Sequence, residues 1–325
     1  MGEGESFDAE CDSDSSDDPL REDDAVRIDI PTGLATVIGG VPAQGSSDAA
    51  RVMVDELPKL PSAPAIHLDA DHLDVDSLDR DEAVGLAGFL ADFAGHLEPV
   101  ILSLTGPITL DLDLQARGLD AEEAARAAVR AVEDIAVWVL DQARSVVPDA
   151  PLLLFLEEPG LRNSMHPTFP MTPPEIEQVM TEVVTSVGGE APVGVQVDGR
   201  VDFAMLLRTG ISALAAPVTA RLETAAAELG KFLEAGGVIA WGAVPTDEPL
   251  GLSTERLWRR LSALWCELTR VGADPMLLRE RSIITPAGDL GAFGFSQAER
   301  VISLSKELAS RVLNQTLGLR MSVGA

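Results

Sequence analysis

The sequence predicts a single (β/α)₈ barrel of the TIM class, because apolar β-rich runs alternate eight times with capped amphipathic segments. The connections are mostly short and few of them carry a hairpin signal, which favours a parallel barrel over a doubly wound sheet. Each run is short and uniformly apolar, as expected of a strand covered on both faces. The predicted strands are residues 35–40, 64–70, 99–107, 150–157, 192–197, 211–216, 237–245 and 282–286.

Capping signals predict where the helices begin. The sharpest start is Thr172-Pro-Pro-Glu175, which combines an N-cap, proline in the first turn and glutamate three residues after the cap. Three more helices have a capping signal at their start: 47–57 after Ser47, 80–96 with Asp79 and Glu82 as a capping box, and 121–147 with Asp120 as N-cap. Further helices are expected over a short segment ending at Arg208, over 219–234 and over 253–271. A last helix is expected after a capping signal at Ser296 and Glu299.

Charge excludes several classes of partner. The 325 residues carry a formal net charge of −29, which argues against binding to nucleic acid or to an anionic membrane surface. Residues 1–24 hold eleven Asp and Glu residues against one arginine, and they have almost no apolar side chains. Such a segment buries too little surface to offset its ordering entropy, so we expect a disordered acidic tail over 1–26 and one barrel domain over 27–325.

Cysteine count and hydropathy point to a soluble cytoplasmic protein. The only cysteines are Cys11 and Cys266, so a disulfide framework or a cysteine-rich metal site is not expected. No apolar run reaches the eighteen or so residues that a membrane span needs, and no basic-then-apolar leader opens the chain.

The fourth predicted strand ends in two carboxylates, Glu157 and Glu158, followed by Pro159. Parallel strands deliver functional side chains at their carboxyl ends. Because successive strand residues point to opposite faces, we expect only one of the two carboxylates to face the barrel axis. The alternative is a pair of solvated acids at a strand exit.

Five motifs in order at predicted strand ends resemble the catalytic barrel of cobalamin-independent methionine synthase, within the superfamily that includes uroporphyrinogen decarboxylase. The resemblance is piecewise over about residues 33–318, on the scale of one barrel domain. The motifs are Ile38-Gly-Gly-Val-Pro42 for I-G-S-x-P, Gly106-Pro-Ile-Thr-Leu110 for G-P-x-T-L, Glu157-Glu-Pro-Gly-Leu161 for D-E-P-A-L, Trp241-Gly-Ala-Val-Pro245 for W-G-x-V-P of small relatives, and Thr285-Pro-Ala287 for the approach to the last metal cysteine.

In that family a zinc ion held by His-x-Cys, Glu and Cys activates the homocysteine thiol, which takes a methyl group from a folate. Here the matching positions are Gln196-Val-Asp198, Ala216-Pro217 and Gly288-Asp289, so the zinc ligands are absent and no metal is predicted. The resemblance implies that Glu158, with Glu157 in place of the family Asp, holds an amino acid substrate. It also implies that Gly106, Pro107 and Gln196 line the same cavity.

Other candidate residues follow from chemistry alone. The segment His67-Leu-Asp69-Ala-Asp71-His72 is a candidate divalent-ion site, the alternative being a solvated acidic loop. His166 is a candidate acid, base or anion contact in a loop over the mouth, or simply a surface histidine. The remaining candidates are Arg200, Arg208, Arg279 and Arg281 as anion clamps, Asp198 with Arg200 as a decarboxylase-type pair, and Trp241 as a stacking platform or a core residue.

These observations lead to a first hypothesis of methyl transfer, or a related sulfur-amino-acid reaction, on a small anionic molecule of the amino acid, thiol or folate type, without the usual zinc. The second is a catalytically silent barrel that binds a small molecule or a protein partner. The third is metal-independent decarboxylation. The sequence leaves the substrate and the oligomeric state open.

Overall fold

The structure, a computed structural model, describes residues 30–42, 51–53, 55–247 and 253–323, with side chains of the last helix described to residue 318. Its centre is one curled sheet of seven parallel strands, in the order β1-β7-β6-β5-β4-β3-β2. Helices follow the strands along the chain, so the architecture is α/β and resembles a TIM barrel.

The strands and helices have the following bounds. The strands are β1 Leu34–Ala35, β2 Val100–Thr105, β3 Leu152–Glu157, β4 Val193–Gln196, β5 Ala213–Pro217, β6 Val238–Val244 and β7 Ser282–Pro286. The helices are α1 Arg80–Asp92, α2 Pro107–Ala116, α3 Ala121–Val146, α4 Pro173–Gly188, α5 Phe203–Arg208, α6 Ala226–Glu234, α7 Thr254–Val271, α8 Leu277–Glu280 and α9 Phe295–Val323, with 3₁₀ turns at Pro159–Asn163 and Leu222–Ala225.

The two faces of the sheet are both apolar but belong to different clusters. Alternate residues such as Ile101, Leu153 and Phe155 form the inner cluster, on the concave side of the sheet. Their neighbours, such as Leu154 and Leu156, pack with the helices in the outer cluster. This double burial explains why the strands are continuous apolar runs with no polar alternation.

The prediction of eight strands is not confirmed. Each of the seven strands overlaps a predicted run, although β1 shares only Ala35 with the run 35–40 and β5 ends one residue beyond the run 211–216. The run 64–70 does not form a regular strand. In this part of the described chain there are two isolated parallel bridges to β2, one from Ser62 just before the run and one from Ile66 within it. Pro64 lies between the two bridges and has no N–H to donate, which prevents a continuous ladder.

Most predicted helix starts are confirmed by their hydrogen bonds. In the capping box of α4, Thr172 donates from its backbone N to Glu175 Oε2 at 2.6 Å and from its hydroxyl at 2.8 Å. Asp120 accepts from Glu123 N at 2.9 Å. Helix α9 begins at Phe295, before the predicted capping signal, and α2 was not predicted at all.

The capping box predicted for α1 forms only in part, because Asp79 caps the helix but Glu82 does not bond back to it. Asp79 does cap the helix, accepting from Asp81 N at 2.7 Å. Glu82 turns away from it and accepts from the backbone N of His67 at 2.9 Å. The carboxylate therefore ties α1 to the segment beside β2 instead of closing its own helix end.

Several predictions lie outside the described residues: the acidic tail with Cys11, the domain boundary at 26 and the start of the first helix at Ser47. Across the described ranges, no helix has both the length and the apolar character to cross a membrane.

Candidate functional site

The candidate site is the carboxyl-end opening of the curled sheet, called the mouth here and built on Ser103 of β2, Glu157 of β3 and Gln196 of β4. Glu157 pairs in register with Thr105 on one side and with Gln196 on the other. It continues the inner face of Leu153 and Phe155, so Glu157 rather than Glu158 faces the interior. This agrees with the expectation that only one of the two carboxylates would.

Three polar atoms at the mouth have no hydrogen-bond partner among the described residues. They are Ser103 Oγ, Glu157 Oε1 and Gln196 Oε1, and all three are buried from solvent. Ser103 itself is only 1% exposed. Ser103 pairs in register with Phe155, two residues before the end of β2, and its hydroxyl lies close enough to Glu157 to lower the pKa of that carboxyl. Buried polar atoms in folded proteins are nearly always satisfied, so the acceptors that remain on Glu157 and Gln196 call for a donor from outside the chain.

The electrostatics of the mouth are dominated by Glu157. Burial raises the pKa of Glu157 above its ordinary value, and the nearby carboxylate of Asp289 adds to the rise, while Ser103 and His67 partly oppose it. A hydrogen bond to Glu82 is the main reason that the pKa of His67 is also raised. Glu157 and His67 therefore both keep their protons to higher pH than free side chains do.

Asp289 enters the mouth from the loop after β7, against two glycines that follow β1. A Cβ on Gly39 would lie 3.4 Å from Asp289 Oδ1 and 3.6 Å from Glu157 Oε2. Because both distances start at one point, the two carboxylate oxygens are at most 7.0 Å apart, the sum of 3.4 and 3.6 Å. A Cβ on Gly40 would lie 2.7 Å from Asp289 Oδ1, so a glycine is needed there for this approach.

Glu158 has a different role from its neighbour. Its side chain is fully buried under the N-terminus of α2, where Oε1 accepts from Ile108 N at 2.9 Å and Oε2 from Thr109 N at 2.7 Å. The Thr109 hydroxyl donates a third bond to Oε2 at 2.6 Å. A carboxylate at a helix N-terminus is favoured by the orphan N–H groups and the helix dipole. Burial nevertheless raises the pKa of Glu158 to about 7, with the hydrogen bonds opposing that rise.

The Gly-Pro-Ile-Thr and Glu-Glu-Pro-Gly motifs form one structural unit around Glu158. A Cβ on Gly106 would lie 2.3 Å from Glu158 Oε1, so only glycine leaves room for the carboxylate. Pro107 is the first residue of α2, where its missing N–H costs nothing. Gly160 N donates to Thr109 Oγ1 at 3.0 Å, which ties the loop after β3 to the same helix end. The structure thus places Gly106 and Pro107 at the clamp around Glu158.

The candidate divalent-ion cluster is divided among three separate pairs. His67 Nδ1 lies 2.7 Å from Glu82 Oε1, His72 Nδ1 lies 2.8 Å from Asp69 Oδ1, and Asp71 accepts from Arg117 at 2.9 Å. Within the described part of the chain, no three His, Cys, Asp or Glu side chains are grouped so that they could hold a metal ion.

Two other candidates lie away from the mouth. His166 accepts from the Thr168 hydroxyl at 2.8 Å, and it lines a separate cavity of about 310 Å³ with Ser164 and Met205. Trp241 is fully buried in the outer layer, where its indole N–H donates to Ser282 Oγ at 2.7 Å and its ring packs edge-on against Trp265. Trp241 is therefore a core residue in this structure, which was the second of the two roles considered for it.

The arginine candidates are mostly engaged elsewhere. Asp198 forms a bidentate ion pair with Arg162, not with Arg200, so the expected decarboxylase-type pair does not form. Arg208 binds Glu177 through two hydrogen bonds of 3.1 and 2.7 Å. Arg279 stacks 5.2 Å from the centre of the Trp265 ring. Arg200 is exposed and Arg281 is half-buried.

Sequence reasoning missed Ser103 and Asp289 as site residues. Ser103 is the one polar residue inside an otherwise apolar run before Thr105, and that interruption was a usable signal. The sequence analysis considered Asp289 only as part of the pair that matches the last zinc-binding cysteine of the methionine synthases. The sequence around Asp289 gives no sign that its loop packs against Gly39 and Gly40.

No protein-family model matches this sequence, and no curated protein matches it either. In three dimensions the chain is similar to the B12-independent methionine synthase from Shewanella sp. W3-18-1 in complex with selenomethionine, with a TM-score of 0.59 and 11% identity over 88% of this chain and 99% of that one. GH5_18 from Bifidobacterium longum subsp. longum ATCC 55813 gives a TM-score of 0.49 at 12% identity, covering 86% of this chain and 79% of that one. The beta-mannanase of the blue mussel Mytilus edulis gives 0.47 at 8%, covering 87% and 96%.

These identities show the fold alone. The fold and the mouth together define a TIM-like α/β protein with a candidate site at the carboxyl ends of its strands. The similarity to a methionine synthase is a similarity of fold.

A zinc ion of the kind that the methionine synthase resemblance implies does not fit the residues present. The mouth offers carboxylate oxygens of Glu157 and Asp289, an amide oxygen of Gln196 and a hydroxyl of Ser103, and the one imidazole near it, that of His67, is paired with Glu82. The described cysteine, Cys266, is exposed in α7. Structural and catalytic zinc sites are built from thiolate, imidazole and a few carboxylate ligands in tetrahedral geometry. The donor set here is made of hard oxygen atoms instead.

Proposed function

We propose that this chain binds a small molecule through its amino group at the mouth, with Glu157 as the principal acceptor. The observation that carries the proposal is the trio of unpartnered buried oxygens on Ser103, Glu157 and Gln196. An ammonium group has three N–H donors and no acceptor, which suits a cluster of oxygen acceptors on the neighbouring strands β2, β3 and β4. The bond to a carboxylate is charge-assisted and is the strongest of the three.

The finer proposal is methyl transfer from a folate-type donor to a thiol on that ligand, which rests on the resemblance to methionine synthase. In such a step an S–CH₃ bond forms as the N–CH₃ bond of the donor breaks, and the electron pair stays on the donor nitrogen, which takes up a proton. The thiol proton leaves to a base. Glu157 and His67 are the titratable groups that we propose for this base, because burial raises the pKa of Glu157 and the hydrogen bond to Glu82 raises the pKa of His67.

A binding barrel without turnover is the second candidate. The described residues include no group of three His, Cys, Asp or Glu side chains that could hold a metal ion, and His67 is already paired with Glu82. This favours the binding barrel, because a weakly acidic thiol needs activation before it attacks. The two candidates share the same amine pocket and differ only in whether product forms.

Binding is tested by thermal shift with matched probes on the full chain. Homocysteine and 3-mercaptopropylamine carry an amino group, whereas 4-mercaptobutyrate does not. We expect at least one of the amines to raise Tm, by an amount equivalent to about 2.7 kcal/mol at a hundred times its Kd, and 4-mercaptobutyrate to have no effect. Glu157→Gln should abolish the shift, while Asp149→Asn, an exposed acid before β3, should retain it.

The assay for turnover mixes the chain with 5-methyltetrahydrofolate and each thiol, and measures the methylated thiol. Product that disappears in Glu157→Gln supports the methyltransferase. Amine binding without product supports the binding barrel. If neither amine shifts Tm, the proposal that the mouth receives an amino group is wrong.

A further inference from the structure

Two carboxylates face the same gap at the mouth. Glu157 Oε2 and Asp289 Oδ1 both lie close to the position that a Cβ on Gly39 would take, at 3.6 and 3.4 Å from it. One ammonium group placed between two carboxylate oxygens, with a bond of about 2.8 Å to each, spans up to about 5.6 Å. The limit of 7.0 Å on the separation of these oxygens leaves room for that arrangement.

His67 and Arg162, two cationic side chains near the mouth, are already paired. His67, which interacts with both Glu157 and Asp289, is held by Glu82. Arg162 at the rim is bound by Asp198, and Asp247 from the loop after β6 also acts on it electrostatically. A ligand carboxylate entering the mouth would therefore meet acidic groups without a free positive partner at either position.

Asp289 also fills the space beside the backbone of Gly39 and Gly40. Its Oδ1 would be 2.7 Å from a Cβ on Gly40, and the loop is held there because Leu290 N donates to Gly40 O at 3.0 Å. The Asp289 side chain is further oriented by Gly291 N, which donates to Oδ2 at 3.0 Å. The negative charge is thus fixed at the mouth and does not depend on a freely rotating side chain.

We infer that the mouth selects a cationic amine that lacks a carboxylate, and that Asp289 is the residue that sets this preference. The inference rests on the proposed amine site and names its substrate class. An ammonium group has three N–H donors, so once Glu157 and Asp289 accept two of them, one is left for either the Ser103 hydroxyl, in a residue that is 1% exposed, or the amide oxygen of Gln196. An α-amino acid brings a carboxylate next to Asp289, and that repulsion disfavours it.

Two probes differ only in the carboxylate: 3-mercaptopropylamine is homocysteine without it. We expect calorimetric titration of the full chain to give a Kd for 3-mercaptopropylamine that is at least about tenfold lower than the Kd for homocysteine. Raising the salt concentration should shrink that ratio, because charges at an exposed mouth are screened.

The specificity variant is Asp289→Asn, which keeps a side-chain oxygen for Gly291 N and removes the charge. We expect it to bind homocysteine more tightly and 3-mercaptopropylamine more weakly, so that the ratio of the two Kd values changes by roughly tenfold. Asp149→Asn is the matched control and should leave the ratio unchanged. Circular dichroism of each variant establishes that the fold is retained.

The outcomes separate this inference from the proposed function. If homocysteine binds as tightly as 3-mercaptopropylamine or more tightly, the inference is overturned while the amine site stands. Homocysteine binding that is lost in Arg200→Ala would identify a carboxylate partner and overturn it in the same way. An unchanged ratio in Asp289→Asn would show that this residue does not set the preference.

Discussion

At the scale of single residues, two opposing effects act on the pKa of Glu158. It accepts three hydrogen bonds at the N-terminus of α2, yet burial raises its pKa to about 7. We expect Glu158→Gln to lower the free energy of unfolding by about 2 kcal/mol, because an amide NH₂ would replace one acceptor opposite backbone donors. Urea denaturation measures this loss, and Glu123→Gln, an exposed residue in the first turn of α3, is the control for an ordinary acid-to-amide change.

The pH dependence of that loss has a definite sign. A carboxyl group whose folded pKa is above its unfolded value stabilises the fold below the unfolded pKa, and that contribution is lost as pH rises through the folded pKa. For Glu158 the window runs from about pH 4.5 to about pH 7. The advantage of the wild type over Glu158→Gln should therefore be larger at pH 5 than at pH 8. A difference that grows with pH would mean that the hydrogen bonds outweigh burial.

Glu157 and Glu158 show how much of a site can be predicted from the sequence. Alternation along β3 was enough to predict that only one carboxylate faces the interior. Which of the two does so depends on the register of β3 in the sheet. The motif match favoured Glu158 as the substrate residue, but the structure brings Glu157 to the mouth, whereas Glu158 meets Gly106 and Thr109 some fifty positions away.

At the scale of elements, local signals predict helix ends well where the partners are local. Thr172 and Glu175 bond to each other within one turn, so their spacing was sufficient. We expect Thr172→Ala to lower the free energy of unfolding by about 1 kcal/mol. Thr181→Ala, at an exposed position inside the same helix, should instead be neutral or slightly stabilising. Thermal or urea unfolding measures both, and equal losses would show that capping is not what Thr172 contributes.

Helix α2 shows where local signals fail. Its sequence Ile108-Thr-Leu-Asp-Leu-Asp-Leu114 alternates apolar and polar residues with the period of a strand, so no helical stripe was visible. Pro107 at the start and the buried cap from Glu158 favour the helix instead. Likewise, Glu82 leaves the expected capping box because the segment carrying His67 lies within its reach. In both cases a contact distant in sequence overrides the local preference.

At the scale of the whole molecule, the two ends of the described chain meet. Gly33, at φ +79°, sits directly against α9, where an added Cβ would be 2.5 Å from Leu313 Cβ. Strand β1 pairs in parallel with β7 through Leu34 and Ala35. This first short strand therefore belongs to the same packed unit as the last helix, although eleven acidic residues precede it within the first 24 positions.

That arrangement predicts opposite results for two truncations. Residues 1–26 carry a net charge of −10, eleven acids against one arginine, and few apolar side chains, so we expect their removal to change Tm by less than about 2 °C. Removal of residues 1–35 also deletes β1 and buried Ile30, and should cost at least about 3 kcal/mol. Differential scanning calorimetry at equal ionic strength measures both. If the shorter truncation destabilises the chain as much as the longer one, the acidic segment contributes to the folded unit, and the domain boundary at residue 26 is wrong.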